Sequence, residues 1–103
     1  MKCCGVELGE VLSPKVFKAL GDPRRVAILD QLARQGGEAC VSDVASCCDV
    51  DVSVVSRHLA TLKAAGILEA QRHGRQIRYR LRARELAALL REMADALETC
   101  CGD

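Results

Sequence analysis

Seven of the 103 residues are cysteine: Cys3-Cys4, Cys47-Cys48 and Cys100-Cys101 form adjacent pairs, and Cys40 stands alone. The odd number, without a secretory signal, argues against a disulfide framework. No C-x-x-C stretch is present to make a zinc ribbon or a dithiol redox site. Neighbouring α-carbons lie about 3.8 Å apart, too close for a relaxed disulfide, but both sulfurs of a pair can turn toward one soft ion. Thiolates favour thiophilic species over magnesium or calcium. Trivalent arsenic and antimony take three sulfurs and divalent mercury two or three, so each pair wants a further thiol. Cys40 cannot complete a site with Cys47 and Cys48 along one helix, because seven helical residues span about 10 Å. The third donor must come from a chain terminus or a second subunit. Oxidation or persulfidation of the same thiols is an alternative chemistry, and Cys40 reads equally well as a small buried hydrophobe.

A second constellation is cationic. Net charge is only +1, yet Arg72, Arg75, Arg78, Arg80, Arg82 and Arg84 follow one another with no acid between Arg72 and Arg84. A basic stripe on a near-neutral chain is a local device, most simply for phosphate. Catalysis is not expected: His58 and His73 are the only histidines, and no nucleophile stands with an orienting base. A metal chaperone is the remaining alternative class.

The elements that must position these groups are clearly punctuated. Ser13, Pro14 and Gly21 frame one helix, and Asp22, Pro23 and Gly36-Gly37 frame a second, together covering 13–35. Val26, Leu29, Leu32 and Ala33 are the expected apolar stripe of the second. A short helix from about Ser42 to Cys48, a turn at "DVD" and a helix capped by Asp51 and stopped by Gly66 form a helix-turn-helix over 42–65. In its second helix Val55, Leu59 and Leu62 share an inward face, and Ser53, Ser56, Arg57 and Ala60 share a small, polar outward one. Small residues let a helix approach base edges, and Arg57 can reach phosphate or guanine. Lys63 joins them as a candidate contact.

The stretch 67–82 reads as a β-hairpin turning at His73-Gly74-Arg75. Ile77, Tyr79 and Leu81 form an apolar face, and Gln76, Arg78 and Arg80 a cationic one. A hairpin of this kind directly after a helix-turn-helix is a wing, with Arg72, His73, Arg75 and Arg78 as candidate DNA contacts. The segment 84–101 is an amphipathic helix with Leu86, Leu89, Leu90, Met93 and Leu97 on one side. A single domain spanning 1–103 with one Phe, one Tyr and no Trp has little core of its own. The last helix is therefore expected to form a homodimer seam. No apolar run approaches the ~20 residues of a membrane span, and "MKCCGVELGEVL" carries an acid where a signal peptide would be apolar. A cytoplasmic location without membrane partners is expected.

"FKALGDPRRVAILDQL", "CVSDVA" and "VSRHLATLKAAGILEAQRHGRQIRYRL" resemble the ArsR/SmtB family of winged-helix metal-responsive repressors, the arsenic-responsive type above all. The resemblance implies a mainly α fold with a small β-hairpin, dimeric through terminal helices. It also implies an operon repressor that leaves double-stranded operator DNA when an inducer binds and needs no cofactor to bind it. Ser53, Ser56, Arg57 and His58 map to the family's recognition helix, and 73–78 to its wing. Arsenic-responsive members often carry C-V-C-D-L-C where this chain has Cys40-Val41-Ser42-Asp43-Val44-Ala45, so one thiol of three is retained. Zinc-sensing relatives place histidines on the final helix, which here has none. Some members pair N-terminal cysteines of one subunit with a helix-turn-helix cysteine of the other. By that resemblance Cys47 and Cys48 with the partner's Cys3 or Cys4 form the first-choice site for As(III) or Sb(III), with Cys100 and Cys101 second. Mercury, cadmium and lead are alternative inducers.

Overall fold

The computed structural model describes residues 2–3, 6–48 and 51–101, with side chains described for 8–9, 11–46 and 51–99. Two short strands, β1 (Lys2–Cys3) and β2 (Val6–Glu7), pair antiparallel, and a one-turn helix α1 (Leu8–Val11) follows. Next come α2 (Pro14–Leu20), α3 (Pro23–Arg34), β3 (Glu38–Cys40), α4 (Val41–Cys48) and α5 (Val52–Ala64). The hairpin β4 (Leu68–His73) and β5 (Gln76–Leu81) leads into α6 (Ala83–Cys101).

The helix starts follow the sequence. Ser13 accepts from the Val16 N–H at 3.3 Å, and Asp22 from the Arg24 N–H at 2.8 Å, each with proline in the first turn behind it. Each side chain satisfies an amide that the helix leaves without a partner. Gly66 takes φ 81° directly after α5, a left-handed conformation that a residue with a Cβ adopts only under strain.

The expected stripe on α3 needs correction. Ile28 and Leu32 are buried and Leu29 is partly so, whereas Val26 is 48% exposed and Ala33 is exposed. At ~100° per residue, Ile28, Leu32 and Arg25 lie within about 60° of each other, with Val26 and Ala33 roughly 100° further round. Arg25 occupies the inner face because its guanidinium finds hydrogen-bond acceptors there.

A third strand also enters the sheet, in the order β3-β5-β4 and antiparallel throughout. Glu38 pairs with Arg80, Ala39 with Tyr79 and Cys40 with Arg78. The core lies between α3, α4, α5 and this sheet: Leu32, Val44, Val55, Leu59, Leu62, Ile67 and Leu68 are all buried, and Tyr79 and Leu81 pack against them. Ile77 does not join them. It is 42% exposed, because the hairpin's end projects past the core. The last helix packs against α1, and Met93 and Ala96 are buried while Leu90 and Leu97 stay exposed.

Candidate nucleic-acid interface

The apolar stripe of α5 and its N-cap fix which side of the helix faces out. Val55, Leu59 and Leu62 are buried together, so Ser53, Arg57, Ala60 and Thr61 are exposed on the far side, with Ser56 half-buried beside them. Asp51 accepts from the Ser53 N–H and from the Ser53 hydroxyl, both at 2.9 Å. Those two hydrogen bonds, backbone first, hold the Asp51 carboxyl below its usual 3.8. The Ser53 hydroxyl therefore serves the cap, and its remaining lone pairs are what it can offer a ligand. The Arg57 side chain is exposed and has no hydrogen-bond or ion-pair partner among the described residues, while Thr61 turns its hydroxyl back onto the Arg57 carbonyl at 3.1 Å. Lys63 is exposed in the last turn.

His58 lies on the flank of α5, half-buried, with Nδ1 3.4 Å from Nη1 of Arg25 on α3. Of the proposed contacts on this helix it is the one already engaged by another helix.

Beside α5 the hairpin projects with a two-residue loop, Gly74-Arg75, between the paired residues His73 and Gln76. Gly74 takes φ 63°, the left-handed value a tight hairpin requires. The wing tip and the first turn of α5 adjoin: Arg75 and Ile77 line one shallow depression together with Val52, Val41 and Cys40. Val52 is 52% exposed. It is an apolar group beside the polar outward face, placed where a thymine methyl could be met. Its only sequence signal is that it falls off the buried stripe.

The arginine stripe is less uniform in space than along the chain. Arg78 pairs with Glu38 at 3.3 Å, Arg80 with Glu69, and Arg82 with Glu85 at 3.9 Å while donating to the Gly66 carbonyl at 3.2 Å. Antiparallel pairing puts Glu38 and Glu69 on either side of Arg80, so acids distant in sequence interleave the cationic face. Arg72, Arg75 and Arg84 have no carboxylate within ion-pair distance among the described residues. Exposed His73 contacts Gln71 at 3.4 Å. The net result is a cationic tip, Arg72 and Arg75, on a largely compensated stem.

Among the thiols, Cys40 is buried at the end of β3, its single S–H donating to Asp43 Oδ2 at 3.1 Å with Gln76 Oε1 3.8 Å away. The backbone of Cys47 and Cys48 ends α4, directly before the link to α5. That of Cys100 and Cys101 ends α6, and that of Cys3 lies in β1. The side chains of these five, and all of Cys4, lie outside the described residues, as do Asp49 and Val50 of the "DVD" turn. Among the described residues, no three His, Cys, Asp or Glu side chains converge on a metal position.

The family model of bacterial regulatory proteins of the arsR family matches residues 22–70, which run from the cap of α3 into β4. The solution structure of the homodimeric winged helix-turn-helix DNA-binding domain Mb0332 from Mycobacterium bovis, a possible ArsR-family transcriptional regulator, is 37% identical. Its TM-score is 0.65, with 79% of this chain and 76% of that one covered. This chain belongs to the ArsR family. Within it, the chain is similar to the arsenic resistance transcriptional regulator ArsR1 of Pseudomonas putida, 40% identical over 78 residues, which are 75% of this chain and 60% of that protein. It also resembles the crystal structure of the AntR antimony-specific transcriptional repressor, 37% identical at TM-score 0.62, covering 86% of this chain and 83% of that one. The chain spans 55% to 61% of the length of the first curated ArsR-family relatives it matches. The winged helix-turn-helix expected from the sequence is the fold observed, with β3 added to the wing's sheet. No helix among the described residues is long and apolar enough to cross a membrane.

Proposed function

We propose that this ArsR-family chain is a homodimeric, cytoplasmic transcriptional repressor, with no enzymatic activity, released from operator DNA by a thiophilic metalloid. One observation carries the DNA-binding part: α5 buries Val55, Leu59 and Leu62 and turns a small polar face with Arg57 outward, beside a hairpin tipped by Arg72 and Arg75. A helix of this shape fits the major groove, while the tip follows the phosphates or enters the adjacent minor groove. Ser53, Ser56, Arg57 and Val52 meet base edges or nearby phosphates, with Lys63 and His73 at the margins, while His58, a candidate contact from the sequence, is turned to Arg25 on α3 instead. Arg78, balanced by Glu38, contributes less charge than Arg75.

Leu90 and Leu97, exposed one heptad apart on α6, supply the apolar surface for the dimer seam. Two subunits then present two copies of α5 to half-sites about one helical turn apart.

Arsenite or antimonite is the proposed inducer, supported by the paired thiols and by similarity to an arsenic-resistance regulator and an antimony-specific repressor. Cys47 and Cys48 with the partner's Cys3 or Cys4 are the first-choice ligands, and Cys100 with Cys101 the second. Capture by Cys47 and Cys48 would tie the end of α4 to another part of the dimer and shift α5 through the short link. A coupling of this kind lowers DNA affinity about 5- to 150-fold. The test is duplex binding by the fully reduced chain with and without arsenite. A chain that is monomeric, or that binds no duplex, refutes the proposal.

A further inference from the structure

Burial of Val55, Leu59 and Leu62 sets which side of α5 faces inward, but the hydrophobic effect is non-directional and leaves the finer rotation of the helix to polar contacts. A directional tie comes from one side chain. Arg25 donates from Nε to the Ala19 carbonyl at 2.7 Å and from Nη2 to the Lys18 carbonyl at 3.0 Å, closing the last turn of α2. Its Nη1 lies 3.6 Å from Asp22 Oδ2 and 3.4 Å from His58 Nδ1. One guanidinium thus joins the end of α2, the cap of α3 and the flank of α5. Its side chain is only 15% exposed, which leaves little of it free to meet a ligand. Among the described residues, Arg25–His58 is the only side-chain hydrogen bond joining α5 to another helix. A guanidinium can only donate, so Nδ1 accepts and the ring's proton sits on Nε2.

We infer that Arg25 is a positioning residue for DNA reading: through His58 it sets the rotation of α5, and so where Arg57 and Ser56 meet the bases. Side-chain ends stand about 5–6 Å from a helix axis, so a 20° rotation moves them about 2 Å. A hydrogen bond to a base edge does not survive that displacement, whereas phosphate attraction does. Loss of the tie therefore lowers selectivity and leaves charge-driven binding intact. The inference rests on the proposed DNA-binding reading.

The test compares a duplex that the chain itself selects from a randomised pool with a scrambled duplex of equal composition, at fixed salt. The wild-type chain must prefer the selected duplex; if it does not, the functional reading fails and this inference with it. His58→Leu should lower the preference about 10-fold while affinity for the scrambled duplex stays within about 2-fold. His58→Gln, whose amide oxygen can accept from Arg25, should restore it. Arg25→Gln should match His58→Leu, and the double variant should be no worse than either single change. Arg25→Met, which keeps the length of the side chain and removes every donor, replaces Arg25→Gln if the latter does not fold. Additive losses would mean that His58 touches DNA on its own account, and would overturn the inference. Imidazole ¹⁵N shifts give a readout that mere destabilisation does not move, with His73 as internal reference. The wild-type His58 should be protonated on Nε2, and Arg25→Gln should yield a mixture of tautomers. An unchanged His58 spectrum in that variant overturns the inference as well.

Discussion

Replacing Arg72 and Arg75 with glutamine should flatten the salt dependence of duplex binding far more than replacing Arg78 and Arg80. The four stand close together in sequence, and counting charges alone would make them equivalent. In the structure Arg78 and Arg80 face Glu38 and Glu69, whereas Arg72 and Arg75 have no such partner among the described residues. If each uncompensated arginine neutralises one phosphate, the tip pair supplies about four contacts per dimer, and their loss reduces the slope of log K against log salt by about 3.6. Between about 50 and 200 mM salt, the wild-type affinity should then fall roughly 150-fold more than that of the tip variant. The stem variant should stay near the wild-type slope. Fluorescence anisotropy of a labelled duplex over a salt series gives all three slopes. If the stem variant flattens as much as the tip variant, the ion pairs yield to phosphate and the wing docks along its stem.

Leu62 is fully buried on the inner face of α5, so Leu62→Ala should cost about 2–5 kcal/mol, read from urea unfolding. A loss below about 1 kcal/mol would contradict the packing of this helix. The Asp22 and Asp51 carboxyls are both held below their usual value of 3.8 by the backbone N–H groups they accept from. Their contribution is complete above the unfolded-state pKa and disappears as pH falls through the folded one. Between pH about 5 and 2 the wild-type melting temperature should therefore drop more than that of an Asp22→Asn, Asp51→Asn variant. Equal drops would contradict it. Leu90→Lys with Leu97→Lys should weaken the dimer at least about 10-fold by sedimentation without unfolding the monomer. An unchanged dimer would place the seam elsewhere.

Legibility in the sequence tracked locality. The α5 helix was readable because its signals lie within its own residues: Asp51 at the cap, Val55, Leu59 and Leu62 inward, Gly66 at the stop. Strand β3 was not, because "EAC" has no strand pattern of its own and becomes a strand by pairing with Arg78–Arg80, far along the chain. The same distance hid the pairing of Arg78 with Glu38. The stripe of Val26, Leu29, Leu32 and Ala33 differs from the buried face of α3 because the acceptors that draw Arg25 inward belong to α2 and α5, outside α3's own pattern of residues. Thiol types and spacing were plain in the sequence, but a three-sulfur site depends on where separate segments, and separate subunits, come together.

Release of a bound duplex from the reduced chain, titrated side by side with arsenite, antimonite, mercury, cadmium, lead and peroxide, tests the central claim most directly. The account predicts stoichiometric release by arsenite or antimonite from the wild-type chain and none from a Cys47→Ser, Cys48→Ser variant that still binds DNA. Equal release from the variant would move the site to Cys100 and Cys101. A duplex that no ion releases, or that only peroxide releases and reductant restores, would contradict metalloid sensing.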